Sequence, residues 1–240
     1  MSKRLIAWLV ATNILLSLAL LTAVLVGHGA SLDGGGIIYD PDAPAFELAR
    51  DALDAQNIPF SSHSDDRPFG SHLQLTLDYS RFTHLIEAVN DTAAGALQSR
   101  GEAHVTVVTP PEFDFALKPA GVTMQEIESI AKRLDIQSAR LQPVCVGRFS
   151  GALPRPALDA DHGTFLLYSL VVADVFGDLT DIRREVFKLY RKKGGNGALF
   201  QPEGFWPHVT LGYDRRDLFI EDGIYKGSNY CYAPLHVAKK

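Results

Sequence analysis

Two tetrapeptides in this chain carry the same pattern, His104-Val105-Thr106-Val107 and His208-Val209-Thr210-Leu211. A threonine hydroxyl can donate to a phosphoryl oxygen, and an imidazole two residues away on the same strand face lies beside that oxygen. Splitting a phosphoester needs one group to take a proton from the nucleophile and another to give one to the leaving oxygen. Histidine is the side chain whose unperturbed pKa permits both roles near neutral pH. Two histidines on opposite sides of a phosphorus atom would suffice without a metal, which accounts for the residue types and for their appearance as a pair. One such tetrapeptide alone says little, because a half-buried strand needs only its apolar positions and threonine is simply a good strand former. Two copies say more: with only eight histidines in 240 residues, a chance match at all four positions is expected in on the order of one chain in several hundred.

Side chains alternate between the faces of a β-strand, so His and Thr of each copy point one way and the apolar pair the other. The surroundings repeat as well. Leu73, Leu75 and Leu77 alternate with Gln74, Thr76 and Asp78 as in a half-buried strand. Ser80 is placed to cap a helix through Leu85, Ile86, Val89 and Leu97 that Gly101 ends. The first histidine strand, Ala103 to Val108, closes at Pro110-Pro111. Later, Phe165 to Val172 reads as an apolar strand, and Thr180 or Asp181 caps a helix carrying Ile182, Val186, Leu189 and Tyr190. Gly194-Gly195 break that helix, and Pro207 leads into the second histidine strand. Strand, helix, histidine strand, twice over, predicts an α+β fold of two pseudo-symmetric lobes of antiparallel sheet with flanking helices, the His-Thr strands facing one central cleft.

Between the copies, Thr123 and Glu126 form a capping box for a helix whose apolar face is Ile127, Ile130, Ala131 and Leu134, and Val144 to Phe149 reads as a strand. Ala45 to Asn57 reads as a short amphipathic helix, Ser61 to Gly70 as a loop, and Tyr230 to Val237 as a last edge strand. Trp206 and Tyr213 flank the second motif and are candidates to stack on a nucleobase, against the alternative of an ordinary place in the core. His72 shares a strand face with Gln74 and Thr76 but does not repeat the His-x-Thr spacing, while His63, His84, His162 and His236 read as surface residues.

Composition bounds the partners. The net charge is -5; setting aside Lys3 and Arg4, the only charges among the first thirty residues, the rest of the chain has 21 basic and 28 acidic residues. An acidic body argues against clamping long nucleic acid, which depends on neutralising phosphates with Lys and Arg. A small anion held by a few local donors remains compatible with it. Behind Lys3-Arg4, residues 5–26 form an uncharged apolar stretch of the length a transmembrane helix needs, about 20 residues. A signal anchor is therefore expected over residues 1–30, with a cleaved signal peptide as the alternative, and the positive flank places the body outside the cytoplasm. Residues 31–71 read as a tether, short helix and loop, and residues 72–240 as the functional domain. Cys145 and Cys231 form no CxxC or zinc spacing and are either bridged or free.

The paired HVT[VL] tetrapeptides in duplicated strand-helix-strand units resemble the 2H phosphoesterase superfamily, and the run from His104 through Pro110-Pro111-Glu112-Phe113 is most similar to its "Swiss army knife" branch. That resemblance covers roughly Leu73 to Val237. It implies that His104 and His208 are the acid/base pair and that Thr106 and Thr210 bind the phosphate. It also implies 2′,3′-cyclic phosphates, RNA ends or related small phosphoesters as substrates, with no metal or other cofactor. An extracytoplasmic tether is unusual for an RNA-repair enzyme, which bears on the substrate more than on the chemistry. Three alternatives stand beside it: a non-catalytic nucleotide or RNA-end binding module, a metal hydrolase using the two histidines with Glu112 or Asp214, and a membrane-tethered interaction domain. The second is disfavoured because neither histidine has an HxH, HxxxH or HxxEH companion.

Overall fold

The computed structural model describes residues 37–95, 97–155 and 162–239. The apolar stretch 5–26 lies outside them, and among the described residues no helix is long and apolar enough to cross a membrane. The chain runs β1 (Phe46–Leu48), β2 (Leu73–Leu77), α1 (Thr83–Thr92), β3 (Ala103–Val108), α2 (Pro110–Glu112), α3 (Met124–Arg133), β4 (Gln142–Gly151), β5 (Phe165–Ala173), α4 (Asp178–Lys192), β6 (His208–Tyr213), β7 (Cys231–Ala233) and β8 (Leu235–Val237). It is a mixed α/β protein with antiparallel sheets. β2 pairs with β3, the order β6-β5-β4-β7 forms a four-stranded sheet, and β1 lies parallel to β8.

The motif strands are built by their alternation. Val105, Val107, Val209 and Leu211 are all buried in one apolar cluster, together with Leu75, Leu170 and Val172. Burying each such side chain stabilises by about 1.5–3 kcal/mol. A slip of one residue would replace this set by His and Thr, so the core itself fixes which faces the four polar side chains occupy. Strands β3 and β6 belong to different sheets, yet their Cα atoms come within 8 Å of one another. Helices close the apolar side: Leu85 and Val89 of α1, Ile127 and Ala131 of α3, and Leu179, Ile182, Val186 and Tyr190 of α4 are buried there. The capping box of Thr123 and Glu126 opens α3 as its sequence predicts. Cys145 and Cys231 form a disulfide that ties β4 to the short edge strand β7.

Several elements depart from the sequence pattern. Residues 45–57 are not a helix: Phe46 and Leu48 are buried around exposed Glu47 in β1, whose backbone partner is β8 from the far end of the chain. A period of two was present in those residues, and a non-local partner decided it. The helix after Ser80 does not reach Gly101. Asp78 caps a preliminary 3-10 turn, and α1 ends at Thr92 because Ala94 and Gly95 both take positive φ. The Gly95 N–H then donates to the Asn90 carbonyl and the Leu97 N–H to Asn90 Oδ1. The freed segment carries Gln98 into a two-way backbone pairing with Tyr213 of β6. Helix α4 begins at Asp178, with Asp174 rather than Thr180 as the capping acceptor, taking hydrogen bonds from the Thr180 N–H and hydroxyl. The expected edge strand splits at Pro234, which has no N–H to give to a ladder, into β7 beside β4 and β8 beside β1.

One buried guanidinium joins the two motif strands. Arg183 of α4 is 1% exposed; it donates to the Val107 carbonyl of β3, to the Gln201, Pro202 and Gly204 carbonyls in the run leading to β6, and to both Glu112 oxygens. Glu112 in turn caps the turn after β3, accepting from the Thr109 N–H and hydroxyl. Removing the guanidinium leaves four carbonyls without this donor and a carboxylate without its cation. Arg183→Met is therefore expected to lower the stability to chemical denaturation by about 3–5 kcal/mol, and an undiminished midpoint would contradict this role.

Candidate functional site

β2 and β3 share a polar face. In their antiparallel register Thr76 stands opposite His104 and Gln74 opposite Thr106, and directly opposed residues point to the same side. A hydrogen-bonded row extends along β2, from His72 Nε2 to Gln74 Oε1 at 2.9 Å and from Gln74 Nε2 to Thr76 Oγ1 at 3.3 Å. The His72 ring lies 6.2 Å from that of His104 and stacks at 4.6 Å on His63. His63 is thus drawn inward, its Nε2 buried, and is not the surface residue its sequence context suggests. His84, His162 and His236 are exposed. His104 Nδ1 sits 3.5 Å from a Glu102 carboxylate oxygen.

On the other side, β6 presents His208 opposite Val171 and Thr210 opposite Ser169. His208 Nδ1 is 2.8 Å from the Trp206 carbonyl oxygen. A carbonyl can only accept, so Nδ1 carries the hydrogen and Nε2 keeps a bare lone pair. The ring of Trp206 packs edge-on against Tyr225 at 4.6 Å and against Gly227, where a Cβ would come within 2.7 Å of Trp206 Cδ1. Tyr213 takes the core alternative: it packs on a second apolar cluster of Leu153, Phe165, Leu167, Leu218 and Ile224.

A buried carboxylate joins these parts. Asp217 accepts from Arg100 at 2.8 Å, from Lys226 at 2.7 Å and from the Thr210 hydroxyl at 3.3 Å, and Lys226 Nζ lies 3.3 Å from the same hydroxyl. Burial works to raise the Asp217 pKa, but Lys226 and Arg100 overcome it and hold the carboxyl below its ordinary value. Burial, with Arg100 beside it, pushes His104 down to about 3. Burial, with Lys226 beside it, pushes His208 down to about 3, and the charge of His104 also reaches it. Both imidazoles are neutral at rest, close enough to feel one another, and placed among cations. Among the described residues, no group of three or more His, Cys, Asp or Glu is arranged to hold a metal ion. Glu112 is committed to Arg183, and Asp214 accepts from the Leu166 and Arg215 backbones.

A family model described as Swiss Army Knife, 2H phosphoesterase domain, matches residues 71–219. The chain belongs to that family. The match spans both His-Thr strands, so the 2H phosphoesterase likeness read from two tetrapeptides extends over most of the folded body. No curated protein and no solved structure matches the chain. In this 2H domain the sequence pattern picked out His104, Thr106, His208 and Thr210 as candidates, and the fold brings their two strands together. It missed Arg100, Asp217 and Lys226, which stand on loops with no fixed spacing from either motif. The signal for Asp217 and Lys226 is the run of charged residues after Tyr213, and Arg100, just before β3, has none.

The depressed histidines give stability a predictable pH dependence. Both lie below the value of 6.5 expected of an unfolded chain, so the unfolded state takes up protons first as pH falls. Their contribution is complete above pH 6.5 and is lost progressively toward about 3, at no more than about 1.4 kcal/mol per pH unit for each. The double variant His104→Asn/His208→Asn is expected to show a shallower loss of stability between pH 7 and pH 4 than the unaltered chain. Parallel curves would contradict this origin.

Proposed function

We propose that the chain is a metal-independent phosphoesterase that hydrolyses a 2′,3′-cyclic phosphate or a related small phosphodiester by acid/base catalysis between His104 and His208. The observation that carries this is the approach of two His-Thr strands from separate sheets, beside a cluster in which buried Asp217 and Lys226 meet Arg100 and the Thr210 hydroxyl. On this reading the two sheets form pseudo-symmetric lobes about a cleft, and the phosphate lies between them against the hydroxyls of Thr106 and Thr210.

The hydrogen bond at the back of His208 suits it to be the base, since its Nε2 is held as an acceptor. Water attacks phosphorus as His208 takes its proton. The phosphorus–oxygen bond to the sugar breaks, and His104 gives its proton to the leaving oxygen. Neutral in the free protein, His104 acquires that proton when the anionic phosphate arrives beside it, and the Glu102 carboxylate 3.5 Å from its Nδ1 supports the imidazolium. Trp206, half-buried beside the second strand, is on this reading the residue that would meet a nucleobase. Tyr213 is less available because its ring packs on the second apolar cluster.

The Cys145–Cys231 disulfide supports an oxidising compartment. It agrees with a body held outside the cytoplasm by residues 5–26, or secreted, and with a small extracytoplasmic phosphoester or RNA end as substrate. The test is hydrolysis of the four nucleoside 2′,3′-cyclic phosphates by the full chain in excess chelator. Turnover is expected to persist in chelator and to fall by about 100- to 10,000-fold in His104→Ala and in His208→Ala. The pH profile of kcat is expected to be bell-shaped, with its acid limb below pH 6.5. Activity abolished by chelator and restored by zinc would contradict the mechanism.

A further inference from the structure

Two-histidine chemistry makes no use of Lys226, yet the fold goes to some length to keep it. It is 3% exposed, and an ammonium at that depth is unfavourable by several kcal/mol unless it is paired and hydrogen-bonded. Its backbone is held at φ +53, a conformation a residue with a Cβ keeps only where its surroundings require it. Those surroundings are visible: Tyr225 packs on Trp206, and Gly227 lets the same indole approach its backbone.

The local charges do not balance. Asp217 is shared by Lys226 and Arg100. Asp222, whose charge also reaches Lys226, is engaged in two hydrogen bonds from Arg216. Beside Thr210 itself, the two cations and the one carboxylate leave one positive charge in excess, while Glu102, the carboxylate against His104, is half exposed to solvent. Two hydrogens of the ammonium go to Asp217 Oδ1 and Thr210 Oγ1; an ammonium has three, and besides these only the Phe219 ring, 5.6 Å from Nζ, is set against it among the described residues. The one hydrogen of the Thr210 hydroxyl goes to Asp217 Oδ2 at 3.3 Å in the free protein; accepting from the ammonium polarises that hydroxyl, and an arriving phosphoryl oxygen would take its hydrogen in place of the carboxylate.

We infer that Lys226 is a phosphate ligand of this site, its Nζ donating to the phosphoryl oxygen that the Thr210 hydroxyl also holds. The ligand comes from a segment beyond the family-matched residues 71–219, and its assignment rests on the phosphoester reading of the site. Asp217 is then a positioning residue that keeps ammonium and hydroxyl on one oxygen.

The probe is inorganic phosphate, titrated calorimetrically into the full chain and into Lys226→Met and Lys226→Arg. Saturable binding by the unaltered chain is expected, weakened about tenfold or more in Lys226→Met and largely recovered in Lys226→Arg. A lowered unfolding temperature in Lys226→Met with undiminished phosphate affinity would overturn the assignment, since that is what a purely structural lysine gives. No binding by the unaltered chain would overturn the phosphoester reading and the assignment together. Should Lys226→Met fail to fold, the ammonium resonance of Lys226 in the unaltered chain decides. It is expected to shift with phosphate at the same half-saturation as the calorimetric titration, and an unmoved resonance would overturn the assignment.

Discussion

The Arg183 guanidinium fixes the end of one motif strand and the approach to the other to a single side chain. It is almost fully buried on α4 and meets backbone carbonyls from the end of β3 and from the run entering β6. A planar group with five donors in a fixed fork can satisfy several carbonyls at once and tolerates little displacement among them. Glu112 supplies the counter-charge and at the same time caps the turn after β3. The constraint is therefore geometric as well as electrostatic: the exit of one histidine strand and the approach to the other are fixed to the same side chain. Apolar packing alone fixes the faces of β3 and β6, because their buried residues share one core, but it does not set where the strands stop.

On the polar side of those strands the electrostatics run the other way. Burial and nearby cations keep both imidazoles neutral, which is the state a base needs and the wrong state for an acid. On the proposed function, a phosphate anion between the two rings would change that balance by favouring a proton on one of them. Asp217 allows the cations to be there at all: it is the buried carboxylate that Arg100 and Lys226 share, and removing it would leave like charges facing each other beside Thr210. On that reading the protonation state of the site would depend on the anion being present.

How much of this was legible in the sequence follows from how local each feature is. The limits of β3, the capping box of α3 and the alternation of both motif strands depend on neighbours along the chain, and these could be read directly. The repeated His-x-Thr pattern located four candidate side chains because strand alternation places such residues on one face. What escaped was set by distant partners. Phe46 looked like part of a helical stripe until β8 offered a ladder. Leu97 looked helical until Gln98 found Tyr213. His63 looked like a loop surface until it stacked on His72. Arg100, Asp217 and Lys226 come from loops separated by 117 and 9 residues, a spacing with no periodicity to reveal it. Charged loop residues are ordinarily solvated, and only the fold shows that Asp217 and Lys226 are not.

The most direct measurement is a crystal structure of the chain with a nucleoside monophosphate, the product of cyclic phosphate hydrolysis, bound at the site. A two-histidine mechanism predicts the phosphorus between His104 Nε2 and His208 Nε2, one imidazole on the side of the sugar oxygen and the other opposite it, with Thr106 and Thr210 on the remaining oxygens. A phosphate bound away from these strands, or both imidazoles on one side of phosphorus, would contradict it.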